Sequence, residues 1–305
     1  MATEKVGFEF APHEVVPSLD PKLYSLDEQE AAFFKSATGI QDDEELKKHI
    51  LDVQAKAYVI FGYPCIRRFS FLRLNICKLP AYTQVLKLAK ERKEAVLLDI
   101  GCCFGNDLRK AVADGWPIQN AIASDLRQGY WDAGHELFKT TPGSYPLKFI
   151  PGDAFDPAFV APRDPCYELP PTPAPELQSL TSLSPLQGHV AAIHASAFVH
   201  LFSEEQQTQV CKTLASLLSP EPGSTIFGAH GGVPQKGFRT VNLGDVTRRM
   251  FFHDPNSWNE LGDGGIFKKG SVKVEAQLME HKREDLSEEF NGEKFYLIAW
   301  SVTRL

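Results

Sequence analysis

Nothing in these 305 residues approaches the roughly 20 consecutive apolar positions that a membrane span requires. Nor does Met1-Ala2-Thr3-Glu4-Lys5-Val6 have the charged-then-apolar layout of a secretory leader. The six cysteines are scattered, and neither Cys-x-x-Cys nor a zinc spacing occurs among them. A reduced, cytoplasmic protein with no membrane span is therefore expected. Basic charge is scarce too: 32 Lys and Arg against 39 Asp and Glu leave a net charge of −7. That disfavours a nucleic-acid partner, which needs a basic face. The short pairs Arg67-Arg68 and Arg248-Arg249 suit a solvated face or a small-anion site better. Repeats are absent, and paired carboxylates of the kind a magnesium site needs do not occur near the strand ends discussed below. No metal is expected.

What remains is an ordinary globular composition, 43% hydrophobic and 23% charged. Residues 1–92 read as a helical cap, with an irregular arm over 1–24. Ser25-Leu26-Asp27-Glu28 has the capping-box pattern that opens a helix to about Lys35. Asp42-Asp43-Glu44-Glu45 begins a second helix, with Leu46, Ile50, Val53, Ala57 and Ile60 at helical spacing. Pro80 opens a further one to about Arg92. From Ala95 the pattern changes. Apolar runs at 95–100, 120–124, 147–150, 189–195 and 224–229 alternate with helical segments, the signature of a doubly wound, mainly parallel sheet. Two late strands, 272–278 and 295–302, with a polar turn between them, bring the count to seven. The core is expected over 93–305. It carries a proline-rich surface insertion at 156–188, where eight prolines fall between the third and fourth strands.

Leu97-Leu98-Asp99-Ile100-Gly101-Cys102-Cys103-Phe104-Gly105 carries the chemistry. It reads as a buried strand, a glycine turn and the start of a helix, a unit that brings bare backbone against a nucleotide-like ligand. Dinucleotide folds keep an apolar residue before the first glycine, whereas S-adenosylmethionine (SAM) folds prefer an acid, here Asp99. Asp125 ends the next apolar run, 20 residues after Gly105, the interval of a ribose-binding carboxylate. Its alternative is a helix cap. Gly101, Cys102 and Gly105 are assigned to the methionine half of SAM, Asp125 and Leu126 to the ribose side, and Asp153, Ala154 and Phe155 to adenine. Asp153 could equally belong to a surface turn. His194, closing the fourth strand, is placed beside the sulfonium. His200 is the first candidate for a catalytic base and His230 the second. Tyr63, Arg67 and Arg68 on the cap, and Trp258 in the long connection after the fifth strand, are candidates for holding the acceptor; salt bridging or loop anchoring would explain them as well.

The loop 97–110, Ala-Ser-Asp-Leu at 123–126, Ala-Phe-Val-His-Leu-Phe at 197–202 and Tyr-Pro-Cys-Ile-Arg at 63–67 together resemble fungal secondary-metabolite O-methyltransferases. The likeness is greatest to those acting on meroterpenoids, within the class I SAM-dependent superfamily. That resemblance implies a Rossmann-like, seven-stranded SAM-methyltransferase sheet, a hydrophobic acceptor and no metal. The reading is an O-methyltransferase that uses SAM, leaves S-adenosylhomocysteine (SAH), and methylates a carboxyl or phenolic oxygen of a small hydrophobic acid or phenol. The competing reading is a SAM-binding regulatory or scaffolding protein without turnover.

Overall fold

The computed structural model describes residues 17–243, 246–280 and 294–305. Most of the expected N-terminal arm, and the turn between the last two strands, lie outside the described residues. Helix α1 (Glu28–Thr38) starts two residues later than the Ser25 pattern suggests. Asp27 accepts the Glu30 N–H at 2.7 Å, and the Glu30 carboxylate accepts the Asp27 N–H at 3.0 Å. A carboxylate outcompetes a hydroxyl for that role, and Ser25 instead accepts from Arg73 at 2.7 Å. Helix α2 (Asp43–Ile60) is capped by Asp42 and buries Leu46, Ile50, Val53 and Ala57 as expected. Ile60, at its fraying end, is 39% exposed. A short helix α3 (Pro64–Arg67) and α4 (Tyr82–Glu91) complete the helical lead-in.

Strands β1 (Val96–Ile100), β2 (Ala121–Asp125), β3 (Lys148–Pro151), β4 (Val190–His194) and β5 (Thr225–Gly232) pair in parallel. Two more strands, β6 (Gly237–Leu243) and β7 (Val246–Phe252), form a separate antiparallel ladder. The last pair, β8 (Val272–Glu280) and β9 (Tyr296–Arg304), closes the main sheet, whose order is β3-β2-β1-β4-β5-β9-β8. β9 runs antiparallel to both neighbours. The seven-stranded, doubly wound sheet expected from the alternation is therefore what forms. β1 and β4 are buried at every position, which is why their sequences are apolar throughout apart from Asp99 and His194.

Alternate residues of these strands feed two cores. Leu98, Ile122, Ile193 and Ile226 point to one, with α7 (Glu204–Leu217) and α8 (Pro255–Gly262). Leu97, Ala121, Ala123 and Phe227 point to the other, with α4, α5 (Asn106–Ala113) and α6 (Gln128–Leu137). Helices α1 to α3 share a third cluster with Phe104 of the glycine loop and Tyr130, Leu137 and Phe138 around α6. The helical region thus sits on the loop itself, not only on a distant rim.

Two stretches differ from the sequence expectation. The connection after β5 holds the β6–β7 hairpin and α8, the latter opened by an Asp254–Ser257 capping box. Segment 156–188 is not a surface insertion throughout. Phe159, Val160, Leu177, Leu180, Leu183 and Leu186 are buried in the first core, although only two 3-10 turns form there. Proline removes the amide donors a helix would need, so this chain covers the sheet with irregular backbone pinned by leucines.

Candidate functional site

The chain turns toward one sheet edge for β2 and β3 and toward the other for β4 and β5, leaving a crevice at the carboxyl ends of β1 and β4. The glycine loop lines it. Gly101 (φ 71°), Cys103 (φ 52°) and Gly105 (φ 73°) take left-handed backbone, which lets the chain reverse in five residues. The Ser124 carbonyl accepts from Gly101 N–H at 2.9 Å and Cys102 N–H at 3.1 Å, tying the loop to β2. A Cβ on Gly101 would come within 2.8 Å of the Phe198 ring, and one on Gly105 within 2.5 Å of Trp131. Both glycines are demanded by φ and by packing. Helix α5 begins at Gly105 with no side-chain cap, so its first amides are left for an anionic group.

Asp125 sits beside that loop. Its carboxylate accepts from Cys103 N–H and Arg127 N–H, each at 2.9 Å, one per oxygen. Each oxygen keeps a lone pair, enough for two ribose hydroxyls. Burial pushes its carboxyl up, and the two amide bonds work against that. Leu126 is 58% exposed next to it, an apolar side chain that an adenine ring would cover. Asp153 is turned back to the Phe155 N–H at 2.9 Å; Ala154 is buried, and Phe155 packs edge-on to Phe202. Tyr63 lies on this side of the crevice as well. Its ring packs tilted against Phe61, 4.3 Å away, and burial, then Asp125, raises its pKa while the Arg127 guanidinium works against them. The donors and surfaces present fit SAM.

Asp99 and His194 are both 2% exposed and face each other across β1 and β4. His194 Nδ1 lies 2.8 Å from Asp99 Oδ1, and His194 Nε2 lies 2.7 Å from Ser196 Oγ. His200 follows in a 3-10 turn. Burial pushes its imidazole down to about 4, and its Nδ1 accepts from Gly231 N–H at 3.4 Å. Its ring is 5.9 Å from that of His230. His230 is deeper: Nδ1 accepts from Trp300 Nε1 at 2.9 Å, and burial holds the imidazole neutral, far below its usual range. Its Nε2 has no partner among the described residues. Trp258 packs at 4.8 Å from both His230 and Trp300, in the core of α8 and the sheet. Arg67 and Arg68 lie within the cap beside Tyr58. Arg67 Nε donates to the Ser18 carbonyl at 2.8 Å, and Arg68 is buried. The loop residues, Asp125 and His194 thus gather at one crevice, with His200 nearby, whereas Arg68 and Trp258 are buried in packing and Arg67 is engaged by the Ser18 carbonyl.

Two groups escaped the sequence reading. Asp107, on the first turn of α5, accepts the Ile76 N–H at 2.9 Å; burial pushes it up to about 6. Ser196 lies in the turn just beyond β4, two residues after His194.

The description "Meroterpenoid methyltransferase N-terminal domain" matches residues 19–72. The Asnovolin E/Chermesin D methyltransferase nvfJ of Aspergillus novofumigatus is 29% identical over 293 residues, 96% of this chain and 95% of that one. The O-methyltransferase atr3 of Stereocaulon alpinum is 31% identical over 265 residues, covering 86% of this chain and 68% of its own. The chain belongs to the fungal secondary-metabolite methyltransferases. This methyltransferase is SAM-dependent. Among solved structures, the N-terminal domain of EvdMO1 with SAH bound aligns at a TM-score of 0.45 and 12% identity, over 83% of the methyltransferase and 95% of that chain. Among the described residues, no helix is long and apolar enough to cross a membrane, and no group of three or more His, Cys, Asp or Glu side chains is arranged to hold a metal ion.

Proposed function

We infer that this methyltransferase transfers the methyl group to a carboxylate oxygen of a small hydrophobic natural product, ahead of a phenolic oxygen. The observation that carries the reading is His200. It is the one candidate base in a partly open position, and burial pushes it down to about 4. A phenol of pKa about 10 needs a competent base, whereas a carboxylic acid of pKa about 4 is already ionised at neutral pH. A histidine this weak suits an acceptor that arrives as its anion. The O-methyltransferase atr3 among its relatives supports oxygen as the acceptor atom.

SAM, when bound, supplies an electrophilic methyl group. Asp99, Gly101, Cys102, Gly105, Asp125, Leu126, Asp153, Ala154 and Phe155 would hold it, with Tyr63 closing the ribose side. The protein's contribution is then alignment and exclusion of water, and well-oriented intramolecular reactions draw several kcal/mol from that source. A cap over residues 1–92, resting through α1 to α3 on the loop and α6, and a core over 93–305 form part of the same proposal.

Labelled SAM incubated with a mixed panel of hydrophobic acids and phenols, read by mass spectrometry, tests it. Methyl esters are expected; phenyl ethers alone would overturn the carboxylate assignment. In the His200→Ala variant, ester formation should fall less than about tenfold with no change in pH profile, because a true base is worth roughly 10²–10⁴.

A further inference from the structure

Beyond His194 the chain keeps alongside β5: Ala195 N–H donates to the Phe227 carbonyl at 3.0 Å, and Ala197 N–H to Ala229 at 2.7 Å. Ser196 lies between them, partly open at the crevice edge, two residues from the Phe198 ring that covers Gly101. Its hydroxyl oxygen accepts the Ala229 N–H at 3.1 Å and meets His194 Nε2 at 2.7 Å. Behind it, His194 Nδ1 is held by Asp99 at 2.8 Å.

A hydroxyl has one proton and two lone pairs. The Ala229 amide can only donate, so it occupies one lone pair. Asp99 receives the Nδ1 proton, which leaves Nε2 to decide the rest. With Nε2 protonated, the second lone pair is filled too, and the only thing Ser196 can offer the crevice is its proton. With Nε2 bare, the Ser196 proton turns inward, and a lone pair faces the crevice instead.

We propose that Ser196, oriented by His194 and Asp99, is the residue that grips the acceptor's carboxylate, donating its hydroxyl proton to it. The proposal rests on the carboxylate reading above and gives it a specific contact. Ser196 touches the acceptor; His194 and Asp99 are positioning residues. The groups that face His194 are Asp99 from β1, Asp107 from α5 and the uncharged Phe227 ring of β5, 5.3 Å away. Burial pulls the imidazolium down, but Asp99, with Asp107 behind it, outweighs burial and sets its pKa above the usual 6.5. The gripping state is therefore the low-pH one, lost as pH rises through that raised value.

The same chemistry has a second source, the cofactor's own α-carboxylate, so the test has two arms. Wild type, Ser196→Ala, Ser196→Thr and His194→Gln are assayed with labelled SAM on abietic acid, 1-naphthoic acid and 1-naphthol between about pH 6 and 8.5. SAH binding to each variant is measured by calorimetry. For the acids, Ser196→Ala should raise KM roughly 10- to 100-fold, as loss of a hydrogen bond to a charged group does. Ser196→Thr should restore it, and SAH affinity should stay near wild type. Wild-type KM for the acids should climb with pH, and His194→Gln should flatten that slope, since an amide donates to Ser196 at every pH. An acid KM unmoved by Ser196→Ala overturns this site and leaves the acceptor class standing. SAH affinity falling in step assigns the contact to the cofactor and overturns it equally. Turnover of 1-naphthol with neither acid methylated overturns the acceptor class and the site together.

Discussion

Asp125 shows how a single side chain can be doubly committed. It braces the glycine loop through Cys103 N–H while presenting the remaining lone pairs to the crevice. Replacing it with alanine removes both functions. Calorimetry on Asp125→Ala should show SAH bound at least about tenfold more weakly, in line with losing hydrogen bonds to a charged acceptor. Wild-type affinity in that variant would remove Asp125 from the cofactor site. The glycine bend of Gly101 and Gly105, with Asp99 and Asp125 on the two neighbouring strands, was readable because strand, bend and second acid follow one another at short, regular intervals. Ser196 and Asp107 were not. Their importance lies in partners 33 and 31 positions away, the Ala229 and Ile76 amides, which no local pattern announces.

Among the elements, the hairpin β6–β7 was hidden by its position. Its sequence carries a recognisable signal, two strand-like runs separated by Gly244-Asp245, yet it reads as part of a long connection. Helix α8 likewise has Asp254 and Pro255 at its start. Gln207 of α7 is one tie between the hairpin and the body. That buried amide donates to the Phe251 carbonyl of β7 and the Phe202 carbonyl of the turn after His200, both at 2.9 Å. Gln207→Ala strands two carbonyls, a cost of about 1–3 kcal/mol by the penalty for an unmet buried group. Thermal unfolding should show a Tm lower by several degrees, and Gln207→Glu should fare no better, because a carboxylate cannot donate. An unchanged Tm in Gln207→Ala would mean that the hairpin's other contacts hold it without this amide. The prolines of 156–188 were visible, but their consequence was not. They forbid a helix without preventing Leu183 and Leu186 from reaching the core.

The whole molecule buries several imidazoles, and this governs its response to acid. Burial pushes His200 and His253 down to about 4, and holds His230 well below its usual range. Each is neutral when folded and takes up a proton on unfolding once the pH is below about 6.5. Their contribution to stability is complete above that value and is lost as pH falls toward about 4. His194, with its raised pKa, and the carboxyls of Asp107, pushed up to about 6, and Asp125, also raised by burial, act in the opposite sense and stabilise the fold at low pH. Burial lowers His135 and His189 as well, and five histidines against these three groups predict a net loss on acidification. Tm should fall between about pH 6.5 and 4.5, and in His253→Gln it should fall less steeply. A flat profile would mean that these rings are hydrated in solution.

By itself the sequence determined the layered sheet, because strands buried on both faces must be written as continuous apolar runs between helices. It also determined the glycine loop, because a reversal in five residues leaves only glycine-like backbone to choose from. Tertiary structure alone decided which polar groups answer one another. Asp99 finds His194 only when β1 and β4 lie side by side, and His194 and Ala229 together orient Ser196 only when β5 joins them. A hydrogen bond is settled within about 3 Å in space, and distance along the chain does not encode that.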